Sequence, residues 1–581
     1  MQAQRLLMMA VAATLAGAAP AVAQTIYPID RAEILEGSHF DFKVEFPNAP
    51  TSADVNVTIN GKPAAETLGR ATTFMQNEEG QKHSALWLRG ASLPAGRYVV
   101  EATQGANKST VNWEVFATAT PRRAKNVILF VGDGFSIAHR TAARIMSKGL
   151  KEGRYGGELA IDDMSNMALI STSGTDSVVT DSANAAHAYT TGHKSCVNAL
   201  GVYCAQNALT LDHPKVETIS EVIRRRSKMS IGVVTNSEIE DATPASMVAH
   251  TRRRSDFNDI VKMFFDVKPD VIMGGGSPNF LPKATNGSKR TDDLDFIAKF
   301  KEAGYSIATS KTEMNTAVSG GAKKMLGLYN TGNIDGAFDL RLAKKGSVSK
   351  FPDQPDVVEQ TKAAIDMLKG NEDGFFLMVE SARIDKYSHS LDWERAVFDT
   401  IMLDNAVKAA KDFAGDRNDT LIIVVADHAH PVSLIGTYND DRPGQLLRDK
   451  LGVYQDSVVP NYGPRDADGY PTDVNTSRRL AVVFGSYPDT CDTGKPNMDG
   501  ERVPAVAGAE KGTYVANEKD CTAPMAVRKQ GNLPFDSNSG VHAADDVVLT
   551  AMGPGAEKFR GHKPNTYVFR VMTEALALGG K

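Results

Sequence analysis

The sequence predicts an α/β fold: a large mixed, mostly parallel sheet flanked by helices, preceded by a small all-β sandwich of immunoglobulin-like type. Three observations lead there. From Gln24 to about residue 119 apolar residues alternate with period two, as half-buried strands require. From residue 120 onward, apolar runs of strand length alternate with helical segments, the pattern of a sheet covered on both faces. Several of these runs end abruptly on a carboxylate or an imidazole, as in "LIIVVADHAH" at 421–430. In parallel sheets that end of the strand carries the chemistry.

Residues 1–23 carry a lone Arg5, an apolar run from Leu6 to Leu15 and "AVA" before Gln24. This is the pattern of a secretory signal cleaved after Ala23, too short for a membrane span. It predicts an exported, periplasmic chain. No later run is long and apolar enough to be a transmembrane segment. Of 581 residues, 42% are hydrophobic and 23% charged, values of a globular protein. The net charge of −5, with no basic stripe to bind a phosphate backbone, gives no reason to expect nucleic acid as a partner. The four cysteines, Cys196, Cys204, Cys491 and Cys521, are even in number, and in an oxidising compartment they predict two disulfides. Nearest-neighbour pairing is expected; no C-x-x-C spacing supports a cysteine zinc site.

The sandwich elements are "FDFKVEF" at 40–46, "VNVTING" at 55–61, "RYVVEA" at 97–102 and "TVNWEVF" at 110–116, joined by Asn-Gly and Pro-Ala-Gly turns. They carry no cluster of reactive side chains, so residues 24–119 read as a spacer or binding unit. The second unit, 120–581, supplies "NVILFVGDG" at 126–134, "ALIST" at 168–172, "MSIGVVTN" at 229–236, "DVIMGGG" at 270–276, "GFFLMVE" at 374–380 and "LIIVVADH" at 421–428. Helices are expected over Val216–Arg226 and Leu391–Phe413. From about 431 to 534 the chain turns polar and rich in Gly, Pro, Asn and Asp, which reads as an insertion before "VVLTAMG" at 547–553 resumes strand character.

Three strands ending on Asp133, on Glu380, and on Asp427 with His428 would crowd carboxylates on one sheet edge. Like charges that close must be neutralised, so a metal cluster is expected there. Asp385 and His389 in "SARIDKYSHS" are four residues apart and share one face of a helical turn. Downstream, "SGVHAADD" supplies His542. Asp385, His389 and His542 suit a catalytic zinc with three N and O ligands and an open position, and so do Asp133, Asp427 and His428. "DATPAS" offers Asp241 and Thr243; the two carboxylates Glu380 and Asp133 with a hydroxyl make an all-oxygen set suited to magnesium, while the same segment also reads as a helix start. In "VVTDSANAAHAYTTG" Ser182 stands at the head of an alanine-rich helix, where the dipole and free amides favour an attacking oxygen, although a plain helix cap would look alike. No G-x-S-x-G is present, so metal rather than histidine is the expected activator.

Together "VGDG", "TDSANAAHAYTTGHKS" with "ALGV", "DATPASMVAHTRRR", "MGGG", "GFFLMVESARIDKYSH", "ADHAH" and "VHAADDV", in that order, resemble the alkaline phosphatases over roughly residues 123–580. The resemblance implies an alkaline phosphatase-like fold and a phosphomonoesterase acting through a phosphoserine on Ser182, with small phosphate monoesters as substrates. It implies two zinc ions, one on Asp385, His389 and His542, the other on Asp133, Asp427 and His428. It implies one magnesium ion on Asp133, Thr243 and Glu380. Arg254 is the expected phosphate-binding arginine, with Arg252 and Arg253 as neighbours in register. Lys386, paired with Asp241 as in many bacterial members, is expected near the phosphate, and His430 beside the ligands. A homodimer is left open. The sandwich and the insertion depart from the minimal bacterial form. Two other readings remain: a diesterase of the same superfamily, which would lack the third metal site, and an envelope binding protein with an inactive α/β unit.

Overall fold

The computed structural model describes residues 23–580. The expected signal segment lies, but for Ala23, outside the described residues. The first hundred described residues form two sheets. One runs in the order Thr25–Tyr27, Phe40–Pro47, His83–Ala91, Thr73–Met75; the other in the order Ala32–Leu35, Asn107–Phe116, Gly96–Gln104, Val55–Ile59, Lys62–Pro63. Phe42, Val44 and Phe46 from the first sheet share one buried cluster with Ile34, Val100, Trp113 and Val115 from the second. All pairs are antiparallel except Ala32–Leu35 with Asn107–Phe116, which is parallel. The alternating strands and short turns had pointed to an antiparallel sandwich; alternation reports which face is buried and says nothing of strand direction, so this one pair departs from that expectation.

Tyr203 and Val216 from the α/β part belong to that same cluster, so the sandwich packs on the 196–217 segment. Buried Lys43 reinforces the contact, reaching Glu45 at 2.6 Å, Glu78 at 2.8 Å and the Asn207 amide oxygen at 2.9 Å. Cys196–Cys204 staples the segment, and Cys491–Cys521 staples the insertion, the pairing expected from the spacing.

The second unit is built on a ten-stranded sheet. Its middle strands, in spatial order, are Ser230–Glu238, Phe375–Ser381, Asn126–Gly132 and Thr420–Ala426, all parallel and fully buried in their central residues. Val547–Met552 then joins antiparallel beside Thr420–Ala426, which makes the sheet mixed. Register aligns Gly132 with Ser381 on one side and Ala426 on the other, so the residues that follow these strands emerge side by side.

The helix predicted from Val216 begins at Ile219, because Thr218 caps it and Glu221 reaches back to the Thr218 amide. The helix predicted from Leu391 begins at Trp393: Asp392 caps it, and Leu391 sits at φ +56°, outside helical geometry. The segment expected to be an insertion forms three two-stranded antiparallel sheets, Val432–Asn439 with Arg478–Phe484, Thr490–Asp492 with Val527–Lys529, and Ala505–Ala507 with Tyr514–Ala516. Among the described residues no helix is long and apolar enough to cross a membrane.

Candidate metal and phosphoryl-transfer centre

Asp133 leaves the central strand on a tight turn at Gly134, whose φ is +63° and whose amide donates to Asp427 at 3.1 Å. A β-carbon at Gly134 would lie 2.6 Å from the His430 ring and 3.0 Å from Asp385 Cα, so glycine is required both by backbone geometry and by space. The turn thus lets the Arg383–His389 helix approach the strand ends. That helix presents Asp385 and His389 on one face, as their spacing predicted.

Around the first predicted ligand set the geometry is specific. His389 Nδ1 faces the Gly540 carbonyl at 2.6 Å and His542 Nδ1 faces the Thr180 carbonyl at 2.8 Å. A carbonyl only accepts, so both Nδ1 atoms carry hydrogen and both Nε2 lone pairs point inward. The two Nε2 atoms lie 3.0 Å apart, and Asp385 Oδ1 stands 3.3 Å from one and 3.4 Å from the other. Such a triangle is suited to share a cation. Its edges match the roughly 3.3 Å between neighbouring donors at a tetrahedral zinc with bonds of about 2.0–2.1 Å. His430 Nε2 meets the same Asp385 oxygen at 2.6 Å and orients it.

The second set closes around His428 Nε2, which lies 3.3 Å from Asp133 Oδ1 and 3.4 Å from Asp427 Oδ2. Asp427 Oδ2 is buried with no hydrogen-bond partner. Burial, together with the charge of Asp385, pushes Asp427 up to about 7; burial, then Asp385 and Asp427, raises Asp133 well above the carboxylate range. These carboxylates cannot share the site ionised without cations. The third set is marked by another orphan: Thr243 Oγ1 is buried and unpartnered. Glu380 beside it is pushed up to about 7, chiefly by burial, and accepts from the Thr235 hydroxyl. All three donor sets fit hard or borderline divalent ions.

Ser182 is the first residue of the Ser182–Thr191 helix, and its cap is Asp181, whose side chain accepts from the Ala183 amide. The capping task that Ser182 could have served falls to its neighbour, which leaves its hydroxyl directed at the site. Its Oγ lies 3.1 Å from His428 Nε2 and 3.5 Å from Asp133 Oδ1.

Of the three consecutive arginines, Arg252 donates to the Val197 carbonyl and Arg253 pairs with Asp256, both away from the site. Arg254 binds Asp181 through one nitrogen and Asp241 through the other, at 2.6 Å. Lys386 meets the second Asp241 oxygen at 2.7 Å. Burial opposes the Asp241 charge, but these two cations overcome it and hold its carboxyl far below the usual range. The structure therefore brings together all thirteen residues singled out in the sequence. Asp181 as partner of Arg254, and the carbonyls of Thr180 and Gly540, went unpredicted; only adjacency to Ser182 and His542 could have flagged them.

The alkaline phosphatase family model matches residues 124–578. Alkaline phosphatase of Escherichia coli K12 is 31% identical over 382 residues, covering 59% of this chain and 78% of that protein. Alkaline phosphatase 3 of Bacillus subtilis is 29% identical over 460 residues, covering 78% of this chain and 89% of that protein. In fold, the structure is similar to alkaline phosphatase of Thermus thermophilus, with TM-score 0.57, 24% identity, and coverage of 80% of this chain and 94% of that one. The enzyme from the Antarctic bacterium TAB5 gives TM-score 0.52 at 22% identity, covering 78% and 98%. The match spans the sheet, the Ser182 helix and all three acidic strand ends, and leaves the N-terminal sheets outside it. The chain belongs to the alkaline phosphatase family and is a metal-dependent phosphomonoesterase.

Proposed function

We propose that Asp385, His389 and His542 hold one zinc ion, that Asp133, Asp427 and His428 hold a second, and that Asp133, Thr243 and Glu380 hold magnesium. The observation that carries this reading is the facing pair of His389 and His542 Nε2 atoms, 3.0 Å apart, with both Nδ1 hydrogens committed to carbonyls. When bound, the ions supply Lewis-acid stabilisation of the attacking and leaving oxygens. The chain's own groups do the rest. Ser182 Oγ, held at the helix start, attacks phosphorus; the Oγ–P bond forms as the ester P–O bond breaks and the alcohol departs. Water then cleaves the phosphoserine and releases inorganic phosphate, which regenerates the Ser182 hydroxyl. Arg254 offers its planar fork to two phosphoryl oxygens, pre-set by Asp181 and Asp241. Lys386, tethered to Asp241, adds positive charge on the same side.

The enzyme acts outside the cytoplasm in this reading: the leader-like first 23 residues and two disulfides support export. Residues 24–119 form an added immunoglobulin-like module, and 431–534 an insertion in the catalytic unit. The test is hydrolysis of p-nitrophenyl phosphate against bis-p-nitrophenyl phosphate, with zinc and magnesium supplied. Strong monoester preference that disappears in Ser182→Ala is expected. Diester preference would refute the monoesterase site as drawn.

A further inference from the structure

Beyond the metal centre the structure holds a cavity of about 310 Å³ between the start of the Trp393–Ala414 helix and the insertion. That size lies at the lower end of small-molecule sites. Trp393, Tyr438 and Tyr487 contribute aromatic wall, and Met525 and Pro496 contribute apolar wall. Four carboxylates and four basic side chains, Lys495, Arg502, Lys519 and Lys529, also line it, and three of the carboxylates are matched. Asp392 accepts from Arg395 at 2.8 Å and from the Arg502 amide at 3.0 Å. Asp492 pairs with Lys529 at 2.8 Å, and Asp520 faces Arg502 at 3.5 Å.

Glu394 is the fourth. It is 7% exposed and lines the cavity, yet among the described residues no side-chain hydrogen bond or ion pair reaches its carboxylate. Burial and the neighbouring Asp392 push it up to about 8, against its own backbone amide and the charges of Arg502 and Arg395, which pull it down without pairing with it. A buried carboxylate among aromatic faces is the recognition chemistry of an organic cation: charge against charge at one end, ring quadrupoles around the rest.

We propose that this cavity binds a small organic ammonium ion carrying an apolar group, with Glu394 as its counter-charge. The site adjoins the metal centre. Leu391 lines the cavity, and its Cδ2 lies against Gly540, whose carbonyl holds His389 Nδ1, so an occupant presses on the element that orients a predicted zinc ligand.

The test is isothermal titration of the metal-loaded enzyme, with inorganic phosphate saturating the catalytic centre, using benzylamine, benzyltrimethylammonium and the neutral control benzyl alcohol. Both ammonium probes are expected to bind and benzyl alcohol not to. Glu394→Gln, checked for folding by its thermal transition and its turnover of p-nitrophenyl phosphate, is expected to weaken ammonium binding about 10-fold or more. Tyr487→Leu, on a half-buried wall position, is expected to weaken it about 2- to 5-fold and serves if the first variant does not fold. Absence of ammonium binding to the unmodified enzyme overturns the proposal. So does benzyl alcohol binding as well as benzylamine, or affinity unchanged in the folded variants.

Discussion

Gly134→Ala isolates what the turn after the central strand does for the centre. The new β-carbon would stand 2.6 Å from the His430 ring, so the ring must retreat by roughly 1 Å to regain the 3.5–4.0 Å of ordinary carbon contact. The contact of 3.0 Å with Asp385 Cα is with backbone and cannot be relieved by a rotamer change, so the Arg383–His389 helix must shift by some tenths of an ångström. The φ of +63° adds about 1–2 kcal/mol of left-handed strain, and overpacking adds about 1–3 kcal/mol. The total is a stability loss of about 2–5 kcal/mol. His430 and Asp385 are bonded at 2.6 Å, so both move, and misplacement of reacting groups by about 1 Å costs roughly 100-fold in rate. Urea unfolding, zinc content and p-nitrophenyl phosphate kinetics on the same preparation measure the three effects. Wild-type turnover in a variant with the expected stability loss would refute the claim that this close approach positions Asp385.

Ser182→Ala is expected to abolish turnover while leaving metal content unchanged, because the hydroxyl adjoins rather than belongs to the histidine and carboxylate donor sets; metal analysis by mass spectrometry checks it. Arg254→Ala should weaken inhibition by inorganic phosphate about 10- to 100-fold, and Arg252→Ala, which loses only a bond to the Val197 carbonyl, should leave it unchanged. Chelation should produce an apo-protein that is less stable as pH rises. Asp427 and Glu380 have folded values raised to about 7, so their stabilising neutral forms are complete below the ordinary carboxylate range and are lost as pH climbs from about 4 to about 7. Thermal transitions across that window should fall for the apo-protein and respond far less in the metal-loaded one; equal pH dependence of the two would contradict the cation requirement.

Much of the site was legible because its parts are local. Asp133, Glu380 and Asp427 stand at the ends of continuous apolar runs, and parallel register alone makes such ends neighbours. Asp385 and His389 lie one helical turn apart, so any helix presents them together. The arginine register was legible only through the family resemblance. Periodicity cannot say which of Arg252, Arg253 and Arg254 turns inward; Asp181 and Asp241, brought in from two other elements, decide it.

The sequence by itself determined the α/β class and the disulfide pairing and pointed to the candidate ligand types, because alternation, strand-end chemistry and short spacings are properties of contiguous residues; Ser182 as candidate nucleophile came through the family resemblance. Tertiary structure decided the rest. His542 reaches His389 across 153 residues of chain, Gly540 and Thr180 set the tautomers of both rings, and one strand pair of the N-terminal sheets runs parallel. Glu394, an ordinary residue in a helix's first turn by sequence, became an unpaired acid only when the insertion closed a cavity over it. Each of these depends on which distant backbone arrives beside a given side chain, and no local pattern encodes that.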